Sequence, residues 1–226
     1  MRNHTLLHII FIQRNNRFLV LLISLVLFFA LYPIVENHLV ATLILNLFFM
    51  LIILSGVLAI SDTRQPLITS LSLALLTIVF RWLHYFYKLD LWAIFEHGTN
   101  VLFWVYIAVH ILKFIMNQRI ITAELIYAAL AVYFIFGLAW ASIYHVLEIS
   151  SAHSFAISNA ETSSQTFIFQ MWYFSMVTLT TLGYGDIAPI TMTARVFVVL
   201  EAIMGQFYLA VMIANLVGRR IAQGNQ

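Results

Sequence analysis

The chain has 226 residues, of which 63% are hydrophobic and only 9% charged, with a mean hydropathy of +0.97. A water-soluble domain carries about 25% charged residues, so this chain lacks the polar surface that most soluble enzymes, nucleic-acid readers and disordered proteins need. The formal net charge of +2 comes from scattered Lys and Arg and implies no polyanion partner, and with no cysteine, disulfides and thiolate metal sites are excluded.

A helix needs ~20 mostly apolar residues to cross a hydrocarbon core. Thr5–Ile12 is apolar but too short, which suits an interfacial helix, and His4 and His8 stand at i, i+4 with no third metal ligand. Phe18–Val35, Leu39–Ile60, Leu67–Tyr87 and Leu91–Met116 follow as predicted spans, joined by short polar connections at Glu36–His38, Asp62–Pro66 and Lys88–Asp90. Arg14 and Arg17 give the first run a basic flank, but Phe28 spoils the small-x-small cleavage pattern near Ala30, so an uncleaved span is expected.

Ionisable residues in these spans are few. Arg81, His84 and Lys88 share a face of the third run at i, i+3, i+7, where the two fixed charges are expected to snorkel to the interface. The fourth run has no arginine and holds only Glu96, His97, His110 and Lys113. A charge crossing the field supplies ~2.3 kcal/mol per 100 mV, so strong voltage dependence is not expected from such a run. His97 and His110 lie about 20 Å apart along one helix, a spacing similar to paired haem ligands. The third and fifth runs offer only His84 and His145, so that set is incomplete.

Ala123–Leu147 is the fifth predicted span, and Glu148 to Ser164 reads as a loop. Phe167–Val177 is about half the length needed to cross and is expected to re-enter, and Met192–Val217 is the sixth span. Tyr32, Trp92 and Tyr173 fit an interfacial aromatic belt. With the N-terminus inside, Arg2, Arg14, Arg17, Arg64, Lys113, Arg119, Arg219 and Arg220 fall on the cytoplasmic flanks, against Arg81, Lys88 and Arg195 outside. That bias favours both termini in the cytoplasm.

Between the short apolar stretch and the sixth span lies Thr180-Thr181-Leu182-Gly183-Tyr184-Gly185-Asp186. This segment resembles the potassium-channel signature T-V-G-Y-G-D, with Leu182 in place of the usual valine. The resemblance extends from about Ala123 to Arg220. It implies an outer helix, a pore helix over Ser164–Thr178, the filter and an inner helix. It further implies that the carbonyls of Thr181, Leu182, Gly183 and Tyr184, with the Thr181 hydroxyl, line potassium sites. Tyr184 would point outward and be braced by Trp172 and Tyr173, and Asp186 would sit at the outer mouth. A ring of backbone carbonyls from four identical chains can replace the water that potassium sheds, and aiming consecutive carbonyls at one axis calls for glycines such as Gly183 and Gly185. Val177 stands where some relatives place a Glu behind the filter. Gly183-x-Gly185-x-x-Ala188 also satisfies a dinucleotide fingerprint, but it lacks the strand–turn–helix context that gives the fingerprint meaning.

In the sixth run Gln206, Leu209, Ile213 and Val217 share one helical face. By resemblance they match a cavity- and gate-lining stripe, and Gly205 matches a hinge, with close packing as the alternative. Ala210, Ala214 and Gly218 form a second ladder suited to packing. Glu201 is an intramembrane carboxylate expected to bond pore-helix hydroxyls such as Ser175 or Thr178, and a candidate for pH sensitivity if it titrates.

The sequence therefore predicts an all-α membrane protein of six transmembrane helices with a re-entrant pore helix and filter loop, four copies forming a tetrameric pore. Residues 1–117 would be a non-sensing four-helix region and 118–226 the pore domain. The chain is similar to short prokaryotic six-helix potassium channels, which implies passive potassium conduction in the plasma (inner) membrane, no enzyme activity, no cofactor beyond the permeant ion and no nucleic-acid partner. It continues only six residues past Arg220, so no ligand-sensing domain is expected after the pore. The alternatives are a potassium-uptake transporter subunit and, from another class, a haem-binding membrane oxidoreductase.

Overall fold

The computed structural model describes residues 16–35, 41–61, 64–118, 120–158 and 164–224, with side chains over 16–31, 46–61, 64–118, 120–158 and 167–223. The expectations for Arg2, His4, Thr5–Ile12, His8, Arg14, Glu36–His38, Arg119 and the Tyr32 ring lie outside those residues. Helices form over the described part of each of the six predicted spans and over the short apolar stretch: α1 Arg17–Val35, α2 Ala41–Ala59, α3 Arg64–Tyr87, α4 Asp90–Asn117, α5 Ala123–Ser150, the short α6 Ser164–Leu179 and α7 Met192–Gly224. Of these α3, α4, α5 and α7 are long and apolar enough to cross a membrane, whereas Arg17–Leu31, Asn46–Ala59 and Phe167–Leu179 are shorter apolar helices.

Local chemistry sets the boundaries. The Thr122 hydroxyl caps α5 by accepting from the Leu125 N–H at 3.3 Å, with Glu124 in the first turn. Lys88 ends α3 in a left-handed conformation, φ 50°, donating its N–H to the His84 carbonyl at 2.8 Å. Thr191 caps α7 through the Ala194 N–H at 3.3 Å. That helix runs past the expected Val217 end because Arg219 bonds the carbonyl of Ile115 at 2.8 Å, anchoring the extension to the end of α4.

The core lies between α1, α2, α4 and α5, where Leu21, Leu25, Ile52, Phe103, Ile107 and Val132 are fully or almost fully buried. Ala128, Ala129 and Ala131 give α5 a small-residue surface, and small residues let membrane helices approach closely where lipid supplies no hydrophobic drive.

The loop after α5 holds an unpredicted element. β1 Phe155–Ile157 pairs antiparallel with β2 Ile187–Pro189, setting Phe155 opposite Pro189 and Ile157 opposite Ile187. Three-residue strands this far apart carry no periodic signal. They form because the Glu148 carboxylate gathers the N–H groups of His153 and Ser154 at 2.8 and 2.9 Å and turns the chain back.

The expectation for Arg81 is corrected. Its guanidinium does not snorkel but turns inward, donating to Asn46 of α2 and to Glu96 of α4 at 3.2 Å, while His84 reaches the other Glu96 oxygen at 2.8 Å. A carboxylate one helix away offers a charge-assisted bond that the interface cannot match. Lys88 is exposed.

Candidate functional site

The site begins at the C-terminal end of α6. The N–H of Leu182 bonds the Val177 carbonyl and the N–H of Thr181 bonds the Thr178 carbonyl, each at 3.0 Å. Thr181 itself has φ 58°. This is a Schellman closure with threonine in the left-handed position that glycine usually fills, a conformation that costs an L-residue about 1–2 kcal/mol.

The left-handed hand then recurs on alternate residues. Thr181, Gly183 and Gly185 have φ of 58°, 60° and 82°, while Leu182 and Tyr184 between them do not have positive φ. In a strand successive carbonyls point to opposite sides. Reversing the hand of every second residue turns alternate peptide planes over, so consecutive carbonyls can face one side. All residues from Thr180 to Asp186 are exposed in the single chain, Tyr184 at 67%. An irregular backbone is tolerable at membrane depth only where it lines a cavity or is buried in protein.

Asp186 ends the segment in a lattice of bonds. Its carboxylate accepts from the Tyr173 hydroxyl at 2.8 Å and from the Ile187 N–H at 3.1 Å, and its carbonyl accepts from the Ser158 N–H at 3.0 Å. Desolvation first, and then the Asp186 bond, push the Tyr173 hydroxyl up to about 12, so it remains a donor at physiological pH. Trp172 is 1% exposed and packs edge-on against Phe29 of α1 at 5.1 Å.

Three helices meet behind the segment at Glu201 of α7, which is fully buried. One carboxylate oxygen accepts from the Tyr144 hydroxyl of α5 and the other from the Ser175 hydroxyl of α6. The Ser175 bond matches the sequence expectation, while Tyr144 was not anticipated. Gly205 lies one turn on. A Cβ there would meet the Leu179 carbonyl oxygen at 2.8 Å and its Cα at 3.1 Å, so α7 rests against the end of α6 through this glycine. The geometry carries the packing role, and α7 is continuous through the position. Gln206, Leu209, Ile213 and Val217 all lie on one exposed face, Ile213 at 59%.

The histidines are placed otherwise than haem ligation needs. The His97 ring lies against His145 with centroids 4.0 Å apart, too close for a porphyrin plane between them, and His110 bonds the Tyr106 carbonyl at 2.9 Å. Among the described residues no group of three or more His, Asp or Glu is placed to hold a metal ion. Sequence reasoning missed the Arg81–Glu96–His84 network. The only available signal was that a carboxylate in an apolar helix requires a partner.

Comparison with known proteins bears on the second half of the chain. Residues 120–222 match a family model described as an ion channel. Potassium channel subfamily K member 17 from Homo sapiens is 34% identical over 68 residues, covering 30% of this chain, and the chain spans only 20% of the length of that relative. No solved structure matches. The region that builds the exposed loop and the helices on either side of it thus matches an ion-channel family model, and 30% of the chain is similar to a named potassium channel.

Proposed function

We propose that four copies of this chain surround one potassium-selective pore and that the ion crosses passively along the carbonyls of Thr181, Leu182, Gly183 and Tyr184, with the Thr181 hydroxyl at the inner end. The observation that carries this reading is the alternation of positive φ at Thr181, Gly183 and Gly185 directly after a short helix. Four such segments around an axis would replace the hydration shell of potassium with backbone oxygens. Their exposure in the single chain supports the same reading, because these groups await neighbours.

The other parts take roles around that axis. Asp186, tied to Tyr173, forms the outer mouth. Tyr184 turns its ring to a neighbouring copy, and the face of Gln206, Leu209, Ile213 and Val217 lines the inner cavity. Glu201 fastens the pore helix to the helices on either side of it. α1 and α2, at 19 residues each, span about 28 Å, close to the ~30 Å of a hydrocarbon core. They complete six crossings with both termini in the cytoplasm, residues 1–117 forming the surround and 118–226 the pore domain in the plasma membrane. Arg81 is paired to Glu96 and α4 holds no arginine, which supports weak voltage dependence.

The test is potassium-driven against sodium-driven flux into liposomes holding the purified chain, with native mass determination of the assembly. Potassium flux well above sodium flux from a four-copy species supports the proposal. Equal flux of both ions, or a conducting species with a different number of copies, refutes it.

A further inference from the structure

A groove opens where α7 passes the end of α4, away from the Thr180–Asp186 segment. It lies between α4, α5 and α7, holds about 490 Å³, and has Ile115, Met116, Phe136, Ile203, Phe207 and Asn215 on its walls. Along α7 its lining runs over residues 200–215, about 22 Å of helix. The volume is about sixteen times the ~30 Å³ share of a liquid water, yet the walls have little to offer water. The Tyr208 hydroxyl is spent on the Ala129 carbonyl at 2.6 Å, and the Asn215 amide donates to the Val211 carbonyl at 2.9 Å. None of Gln206, Leu209, Ile213 and Val217, the face proposed for the inner cavity, lines this groove.

One end of the groove is cationic. Arg219 stands one turn beyond Asn215 on α7 and donates to the carbonyls of Ile115 and Met116 at 2.8 and 3.4 Å. Those two residues belong to the groove wall, so the guanidinium sits at the groove's edge. A guanidinium is always charged and carries five N–H donors. Two are used here, both on neutral carbonyls, which leaves three. Among the described residues no carboxylate pairs with Arg219, because Glu96 holds Arg81 and Glu124 holds Arg17. Arg220 beside it is exposed and adds to the positive charge. A guanidinium fork matches the oxygens of a phosphate. An apolar helix of a second copy would fill the groove but leave that fork without an anion, whereas a membrane phospholipid supplies an apolar chain and a phosphate in one molecule.

We propose that this groove binds one anionic phospholipid, with an acyl chain against Phe136, Ile203 and Phe207 and the phosphate on the free N–H groups of Arg219. Bound there it touches α4, α5 and α7 together. The proposal goes beyond the pore reading, and lipid retention is measured without ion flux, so the two can fail separately.

The test is native mass determination of the full chain in detergent during stepwise addition of phosphatidylglycerol, and separately of phosphatidylcholine with the same acyl chains. One phosphatidylglycerol per chain should bind saturably, at a concentration about tenfold below that of phosphatidylcholine, the scale of a hydrogen bond to a charged group. Arg219→Gln should erase that preference. Ile203→Trp, which fills the groove and keeps the guanidinium, should weaken retention of both lipids. Glycerol 3-phosphate, the head without chains, should not displace the lipid at equal concentration. Equal binding of the two lipids, uptake that rises without saturating, or retention unchanged in folded Arg219→Gln or Ile203→Trp overturns the proposal. An intact assembly that takes up no lipid also overturns it and gives the groove to a neighbouring copy. Displacement by glycerol 3-phosphate overturns it too, leaving Arg219 a plain phosphate site. If neither variant folds, the two lipids and glycerol 3-phosphate on the unaltered chain decide.

Discussion

Replacing Glu201 probes the joint where α5, α6 and α7 meet behind the Thr180–Asp186 segment. The carboxylate is fully buried and is the acceptor for two hydroxyls on two other helices, Tyr144 and Ser175. Glu201→Ala removes both acceptors at once. Each orphaned hydroxyl costs ~1–3 kcal/mol, so the loss should be about 2–6 kcal/mol, more than tenfold in the folded-to-unfolded ratio. Tyr144→Phe and Ser175→Ala each leave one carboxylate oxygen without its donor, about 1–3 kcal/mol apiece. Glu201→Gln keeps one carbonyl acceptor and should cost less than alanine. The assay is denaturant unfolding of the purified protein in detergent, followed by tryptophan fluorescence, with a Tyr144–Glu201 double-mutant cycle. Coupling of about 0.5–3 kcal/mol is expected for groups in direct contact. An alanine variant within ~0.5 kcal/mol of the unaltered chain, the scale of an ordinary surface change, would refute the three-helix joint, as would a cycle without coupling.

Other outcomes follow from single contacts. Gly205→Ala places a methyl 2.8 Å from the Leu179 carbonyl oxygen and should cost about 1–3 kcal/mol by overpacking. Gly218→Ala, with nothing within 4 Å, should be neutral or stabilising; equal melting shifts for the pair would contradict the close approach of α7 to α6. Arg219→Gln removes the bonds to the Ile115 and Met116 carbonyls, so amide exchange over residues 219–224 should quicken, and unchanged protection would show that the anchor does not hold that end. Current–voltage relations in symmetric potassium should show no steep rise in open probability, because Arg81 is held by Glu96; a steep sigmoid would overturn the view of the surround as non-sensing.

Helix positions were legible because long apolar runs have few alternatives in this composition, and the Phe167–Val177 part of α6 was recognisable by its shortness. The Thr180–Asp186 segment stood out by its resemblance to a known signature and positive φ was expected at its glycines, yet the left-handed Thr181 could not be read, since threonine has no preference for that region and adopts it here to close α6. Partners across helices were poorly legible. Helical periodicity places Glu201 and Arg81 on faces but does not say which neighbour presents a hydroxyl or a carboxylate, so Tyr144 and Glu96 emerged only from the fold. The contact of Trp172 with Phe29 of α1 was not legible for the same reason, while its neighbour Tyr173 reaches Asp186.

The reversal potential with potassium on one side of a planar bilayer and sodium on the other tests the central claim most directly, with Gly183→Ala beside the unaltered chain. Gly183 has φ 60°, a conformation that costs an L-residue about 1–2 kcal/mol. The unaltered chain should therefore reverse far toward the potassium equilibrium, and the variant should lose that preference or its current. Reversal near zero in the unaltered chain, or full selectivity in the variant, would contradict a filter built from these carbonyls.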